Sequence, residues 1–242
     1  MRFYTYAPID YPYIMRNIKQ KPRKNYKHEI VDIGIYDLLK SDRHSDKKIN
    51  KWKNLKTDGW KVVPDCPDLV GEFGKKTDVD NVEYSKQLLM DLFNPEDPSQ
   101  LPVIQGYYDN YGSFVEFITW FKKEYGPHDK IAVGTMCKSG NRDFVKHALH
   151  YLRKQFPESF IHAFGLRLYH LKNVFAIIDS FDSMSWKFPR IGGLGKASAK
   201  THEFELYFQE YLKRIEITTH HQLKFNSDEF LIRSRPLQEF FI

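Results

Sequence analysis

Cysteine is nearly absent from this chain. Cys66 and Cys137 are the two it carries, too few for a disulfide framework. No C-x-x-C or H-E-x-x-H spacing occurs and the ten histidines are scattered, so neither a dedicated metal site nor a bound cofactor is expected. No apolar run approaches the ~20 residues that cross a bilayer, which argues against a membrane partner. The opening residues, Met1-Arg2-Phe3-Tyr4-Thr5-Tyr6, lack the apolar core and small-residue cleavage site of a secretory leader, so a cytoplasmic location is the expectation. Internal repeats and low-complexity tracts are also missing. Acids are missing locally: from 11 to 27 there is none, while Arg16, Lys19, Lys21, Arg23, Lys24 and Lys27 all fall there.

What remains is a chain of 242 residues with 41% apolar and 16% aromatic content, enough for one large domain over 1–242. Net charge is +6, and the excess is local. One basic insertion covers about 11–28 and a second basic stretch about 43–61, where lysines are interleaved with Trp52 and Trp60. Cations alternating with aromatic rings suit a phosphate backbone with exposed bases to stack on. Arg16, Lys19, Arg23, Lys24 and Arg190 are the candidate nucleic-acid contacts; a solvated lysine-rich face is the plainer alternative.

Apolar runs broken by turn residues predict strands at 2–7, 28–34, 59–65, 101–106, 130–134, 159–165 and 174–179. Amphipathic spacing predicts helices at 82–93, 113–125, 142–156 and 201–215, with a short one beginning at Ile35. The proline-containing stretch after the first strand reads as irregular. Strand–helix alternation repeated this often argues for a parallel α/β domain. Seven strands ending in polar residues or glycine fit a (β/α)8-type, TIM-like barrel, with an eighth strand near 190–194 or 230–232; an open doubly wound sheet is the alternative.

On a barrel the strand ends share one mouth. That gathers Asp32, Asp65, Gln105, Gly106, Gly134, Phe164 and the pair Asp179 and Asp182. Converging carboxylates without a metal motif suit covalent and acid–base work at an electrophilic carbon, and glycosyl transfer needs such a pair. Gln105 and nearby backbone groups offer the directional hydrogen bonds of a purine edge, and Tyr36 and Phe164 could stack on its faces. Strand-end Asp residues also commonly cap turns, and His162 reads as a hydrogen-bonded core residue. Of the two acids ending the 174–179 run, Asp179 is expected to close the strand and Asp182 to face the pocket.

In order and context these residues resemble the tRNA-guanine transglycosylase superfamily, and especially its branch that inserts 7-deazaguanine bases into DNA. The segments that carry the resemblance are Asp32-Ile33-Gly34-Ile35-Tyr36, Val62-Val63-Pro64-Asp65, Ile104-Gln105-Gly106, Ala132-Val133-Gly134, His162-Ala163-Phe164-Gly165 and Asp179-Ser180-Phe181-Asp182. The resemblance implies that Asp182 attacks C1′ of a nucleoside and that Asp32 is the general acid/base. It implies that Asp65, Gln105 and the amide of Gly134 hold the base, with Gly106 beside them and Tyr36 and Phe164 stacked on it. The partners it implies are nucleic acid, DNA before tRNA, and free guanine or a 7-deazaguanine. The chain departs from the family in lacking the zinc subdomain, in having Thr135 where a base-reading Glu is usual, and in Ile33 and Ile35, expected to narrow the mouth beside Asp32. Two other readings stay open: a barrel that binds nucleic acid without catalysis, and a metal-dependent hydrolase built on Asp32, His162 and Asp182.

Overall fold

The structure, a computed structural model, describes residues 1–6, 10–35, 38–41, 43–68, 80–137, 139–187 and 204–225. Tyr36, Arg190 and both candidate positions for an eighth strand lie outside them. The strands are β1 (Arg2–Tyr4), β2 (Tyr13–Asn17), β3 (His28–Asp32), β4 (Trp60–Val62), β5 (Gln100–Leu101), β6 (Val103–Ile104), β7 (Lys130–Val133), β8 (Phe160–Ala163) and β9 (Ser180–Asp182). The helices are α1 (Leu38–Ser41), α2 (Asp46–Lys53), α3 (Asn81–Leu92), α4 (Tyr111–Tyr125), α5 (Arg142–Gln155), α6 (Leu168–Val174) and α7 (Phe204–Phe225). The class is α/β, as the alternation predicts.

Every strand pair is parallel, in two sheets ordered β2-β3-β4-β5 and β1-β9-β8-β7-β6. The sheets meet along both edges. β5 and β6 are separated only by Pro102, which has no N–H to give a ladder, while its carbonyl accepts from Ala132 N at 2.8 Å. At the other edge Thr5 N donates to Tyr13 O and Met15 N donates to Thr5 O, each at 3.2 Å, linking the end of β1 to β2.

Two-residue alternation divides the strands between two cores. Val31, Ile33, Ile104, Ile131, Val133, Ile161 and Phe181 pack outward against Leu89, Phe117, Phe121, Leu149 and Leu152 of the helices. Their neighbours Tyr4, Ile30, Val62, Leu101, Val103 and Ala132 form a second cluster, bordered by Tyr13, Met15, Trp60 and Phe164. Helices α3, α4 and α5 begin on capping side chains: Asp80 accepts from Val82 N and Glu83 N, Asn110 from Ser113 N, and Asn141 from Phe144 N, each at 3.0 Å. Such caps contribute about 1 kcal/mol apiece. Among the described residues no helix is long and apolar enough to cross a membrane.

Three sequence expectations are corrected here. The irregular basic stretch contains β2, whose Ile14 and Arg16 are buried and whose register against β3 runs from Tyr13↔His28 to Asn17↔Asp32. The apolar run expected as a strand at 174–179 is the end of α6 and a turn; the strand is Ser180–Asp182. A short apolar run does not distinguish strand from buried helix end. Asp179 therefore precedes the strand instead of closing it. Its Oδ2 accepts from Arg153 Nη2 at 2.6 Å and Ile161 N at 2.9 Å, at the opposite end of the strand from Asp182.

Candidate active site

Parallel strands deliver their C-terminal residues to one end, and that end collects the acids. Asp32 and Asp182 are the last residues of β3 and β9, in phase with inward-facing Ile30 and Ser180. Asp65 follows β4. The three carboxylates sense one another. Burial and the negative charge of Asp182 raise the Asp32 pKa above the usual carboxylate range, against the opposing pull of the Gly34 amide and the Lys48 cation. Burial and the charge of Asp32 push Asp65 up to about 7, although a hydrogen bond from Gln105 opposes the rise.

Gln105 is fully buried behind Asp65. Its Nε2 donates to Asp65 Oδ2, and its Oε1 accepts from Thr135 Oγ1 at 3.1 Å. The amide is thereby oriented, and Gln105 and Thr135 support the Asp65 carboxyl. On the far side, His44 Nε2 meets the Asp65 carbonyl at 2.8 Å. Gly134 is required where it stands, because a Cβ there would lie 2.0 Å from Gln105 Nε2.

Asp182 is held differently. Its Oδ1 accepts from Gly165 N at 2.8 Å, and the Nε2 of fully buried His162 approaches the same oxygen at 3.4 Å. His162 Nδ1 is 2.8 Å from Ser180 Oγ. A carboxylate only accepts, so the compatible tautomer carries its proton on Nε2 and takes the Ser180 hydroxyl at Nδ1. Phe164 lies edge-on to His162, with ring centroids 4.8 Å apart.

No protein-family model matches this chain, and no curated protein matches it.

The structure brings together Asp32, Asp65, Gln105, Gly134, Phe164 and Asp182, and revises several expected roles. The amide of Gly134, expected to face a base, donates to Ile104 O at 3.0 Å within the strand ladder. Gly106 turns its carbonyl to Thr135 Oγ1 at 3.3 Å and lies against Phe114, where a Cβ would come within 3.1 Å. Gln105 supports Asp65 from a buried position. Ile33 does not narrow the mouth, because alternation turns it outward into the helix-side core.

The basic stretches change most. Arg16 is buried and forked onto Glu29, with Nε to Oε2 at 2.7 Å and Nη2 to Oε1 at 3.1 Å, so it is no phosphate contact. Lys19 and Lys24 are exposed on the connection from β2 to β3, and Arg23 stacks over Tyr6 at 4.6 Å. In the second stretch Trp52 is a core residue donating to Val62 O at 2.7 Å, and Trp60 packs against His28 and Phe160, so neither offers a ring to a base.

Lys48 belongs to the 43–61 basic stretch, whose cations are expected to meet phosphate or solvent. It is buried, and its Nζ donates to Gly34 O at 2.8 Å beside Asp32. A signal existed: Lys48 and Trp52 are four residues apart on one helical face, so a buried Trp52 carries Lys48 inward. Among the described residues no group of three His, Cys, Asp or Glu side chains is arranged to hold a metal ion, and the trio Asp32, His162 and Asp182 forms no such group.

Proposed function

We propose that the two edge-joined sheets form one (β/α)8-type barrel and that its mouth exchanges a purine base in nucleic acid, guanine leaving and a 7-deazaguanine entering. The observation that carries this reading is the coupling of Asp182 and Asp32 at one strand end, with the proton affinity of Asp32 raised and Asp182 held by the Gly165 amide. A carboxyl whose proton affinity is raised beside a second carboxylate suits the acid/base role, leaving the second as nucleophile.

In the first step an Asp182 oxygen bonds to C1′, the bond from C1′ to the base nitrogen breaks, and the departing base takes a proton from Asp32. In the second, Asp32 recovers a proton from the incoming base, whose nitrogen bonds to C1′ as the ester to Asp182 breaks. Two inversions leave the sugar with its original configuration. Asp65, close to half-neutral near pH 7, accepts or donates at the base edge according to its protonation. Outward packing of Ile33 takes away one of the two side chains expected to crowd the pocket.

The test is incorporation of labelled guanine into a DNA duplex, a single-stranded oligonucleotide and tRNA. Wild-type protein is expected to label DNA and to form a denaturant-stable adduct that Asp182→Asn lacks. Exchange undiminished in Asp182→Asn, or no exchange on any of the three substrates, overturns the reading.

A further inference from the structure

A second surface lies outside the carboxylate cluster. Tyr111, His147, His150, Tyr151 and Lys154 line an open groove of about 510 Å³ on the outer faces of α4 and α5. Its aromatic floor is an edge-to-face pair, Tyr111 and Tyr151, with ring centroids 6.1 Å apart. Tyr111 is 42% exposed, as is Tyr108 on the loop leading into it. Single exposed rings are ordinary on a protein surface, whereas rings grouped in one patch mark interaction sites. The charge on α5 is mostly positive, with Arg142, Lys146, Arg153 and Lys154 against the single acid Asp143. Arg153 is committed to Asp179 and to backbone carbonyls, and Arg142 lies over the Tyr169 ring of α6 at 5.2 Å, which leaves Lys146 and Lys154 exposed along the helix.

We propose that this groove binds single-stranded nucleic acid, bases stacking on Tyr111 and Tyr151 and phosphates following the cations of α5. Rings with cations alongside are what a single strand needs, since every base has a face to stack and every linkage a charge to neutralise. An acidic peptide would use the cations and leave the rings idle. A duplex hides its base faces. The groove also has a route to the mouth. Gln105 supports Asp65, and the loop from Gln105 ends at Tyr111, six residues on, a span of at most ~20 Å. A strand in the groove would enter the mouth from the side of Asp65. Only that last step rests on the base-exchange reading; the binding surface stands on its own chemistry.

Fluorescence anisotropy of a labelled twelve-nucleotide oligothymidylate on the full chain tests it, with an abasic strand of equal length as comparison. Wild type is expected to bind the thymidylate about tenfold more tightly than the abasic strand. Tyr111→Ala should remove that difference, and Lys154→Glu should weaken both strands and flatten the salt dependence by roughly one phosphate. Tyr111 is exposed at the start of its helix, so an unchanged melting temperature verifies the fold. Equal affinity of wild type for the two strands, no loss in Tyr111→Ala, or displacement of the thymidylate by polyglutamate at equal charge concentration overturns the proposal. Photocrosslinking of a bromouracil-substituted strand to the peptide spanning 142–155 supports it, and crosslinks confined to other segments count against it. Tight thymidylate binding with no base exchange would sink the base-exchange reading alone; exchange that proceeds with wild-type affinity in Tyr111→Ala would sink this one alone.

Discussion

Nε2 of His162 lies 3.4 Å from Oδ1 of Asp182, and the other ring nitrogen is fixed at 2.8 Å from Ser180 Oγ. The histidine is completely buried, two residues before Phe164, and Ser180 is two residues before Asp182. The ring is thus part of the floor beneath Asp182.

Ser180→Ala tests that floor. It removes one buried hydrogen bond, costing about 1 kcal/mol of stability, and releases the ring from its tautomer. Base exchange should fall about tenfold in kcat, with KM little changed, because the substrate's own contacts are untouched. Steady-state kinetics beside urea unfolding separates the effects; unchanged kcat in a slightly destabilised protein would reduce His162 to packing.

Asp65 makes stability depend on pH. Burial and the charge of Asp32 hold its folded pKa at about 7, above the 3.8 of an ordinary aspartate. Between these values the unfolded chain has released the proton and the native state still holds it, so stability falls as pH rises from about 4 and levels off above about 7. The full penalty is of the order of 4 kcal/mol at most. Asp65→Asn retains an acceptor for Gln105 and carries no charge. Its melting temperature should match wild type near pH 4 and exceed it increasingly toward pH 8. Parallel melting curves across that range would contradict the assignment.

Gly134→Ala places a methyl 2.0 Å from Gln105 Nε2. Gln105 is fully buried and tied at both ends of its amide, so moving aside breaks its links to Asp65 and Thr135 together. A loss of about 1–3 kcal/mol is expected, the range for overpacking a close-packed interior. The variants Gly134→Ala and Gln105→Ala should impair base binding alike, and the double variant should be no worse than either. Additive losses by denaturation and base titration would show that Gly134 acts on something other than Gln105.

Arg16→Met separates structural from surface charge. It strands Glu29 in the interior with only Thr57 Oγ1, at 2.6 Å, as a described side-chain partner. Removing one member of a buried pair costs about 3–5 kcal/mol, visible as a lower urea midpoint, while nucleic-acid affinity of the folded variant stays at the wild-type level. Lys24→Glu should do the reverse, leaving the urea midpoint within about 0.5 kcal/mol of wild type.

The helices were the most legible part of the chain. The spacing of Phe114, Phe117, Ile118 and Phe121 marks α4, and Phe144, Ala148 and Leu152 mark α5, because a long amphipathic period is hard to imitate. Strands of two to five residues carry little periodicity. β2 was hidden by Pro12, by charge and by the absence of a helix between it and β3. The stretch before Asp182 reads as a strand because an apolar helix end followed by a turn has the same composition. The carboxylates were legible as strand-end acids, since the polar residue that closes an apolar run is visible in one dimension.

The order of residues along the chain by itself determined the α/β class, most of the helices, and the candidate set Asp32, Asp65, Gln105 and Asp182. Tertiary structure decided which charges are surface and which are interior. It turned Arg16 onto Glu29 and drew Lys48 in to Gly34; it buried Trp52 and left Tyr111 exposed. It also assigned Gln105 and Gly134 to the support of Asp65. The reason is physical: local periodicity depends on neighbours a few residues away, whereas desolvation and charge coupling depend on groups that approach only when distant strands pair. Asp32 and Asp182 are 150 positions apart in the chain, and only the folded sheet ends make the charge of one felt by the other.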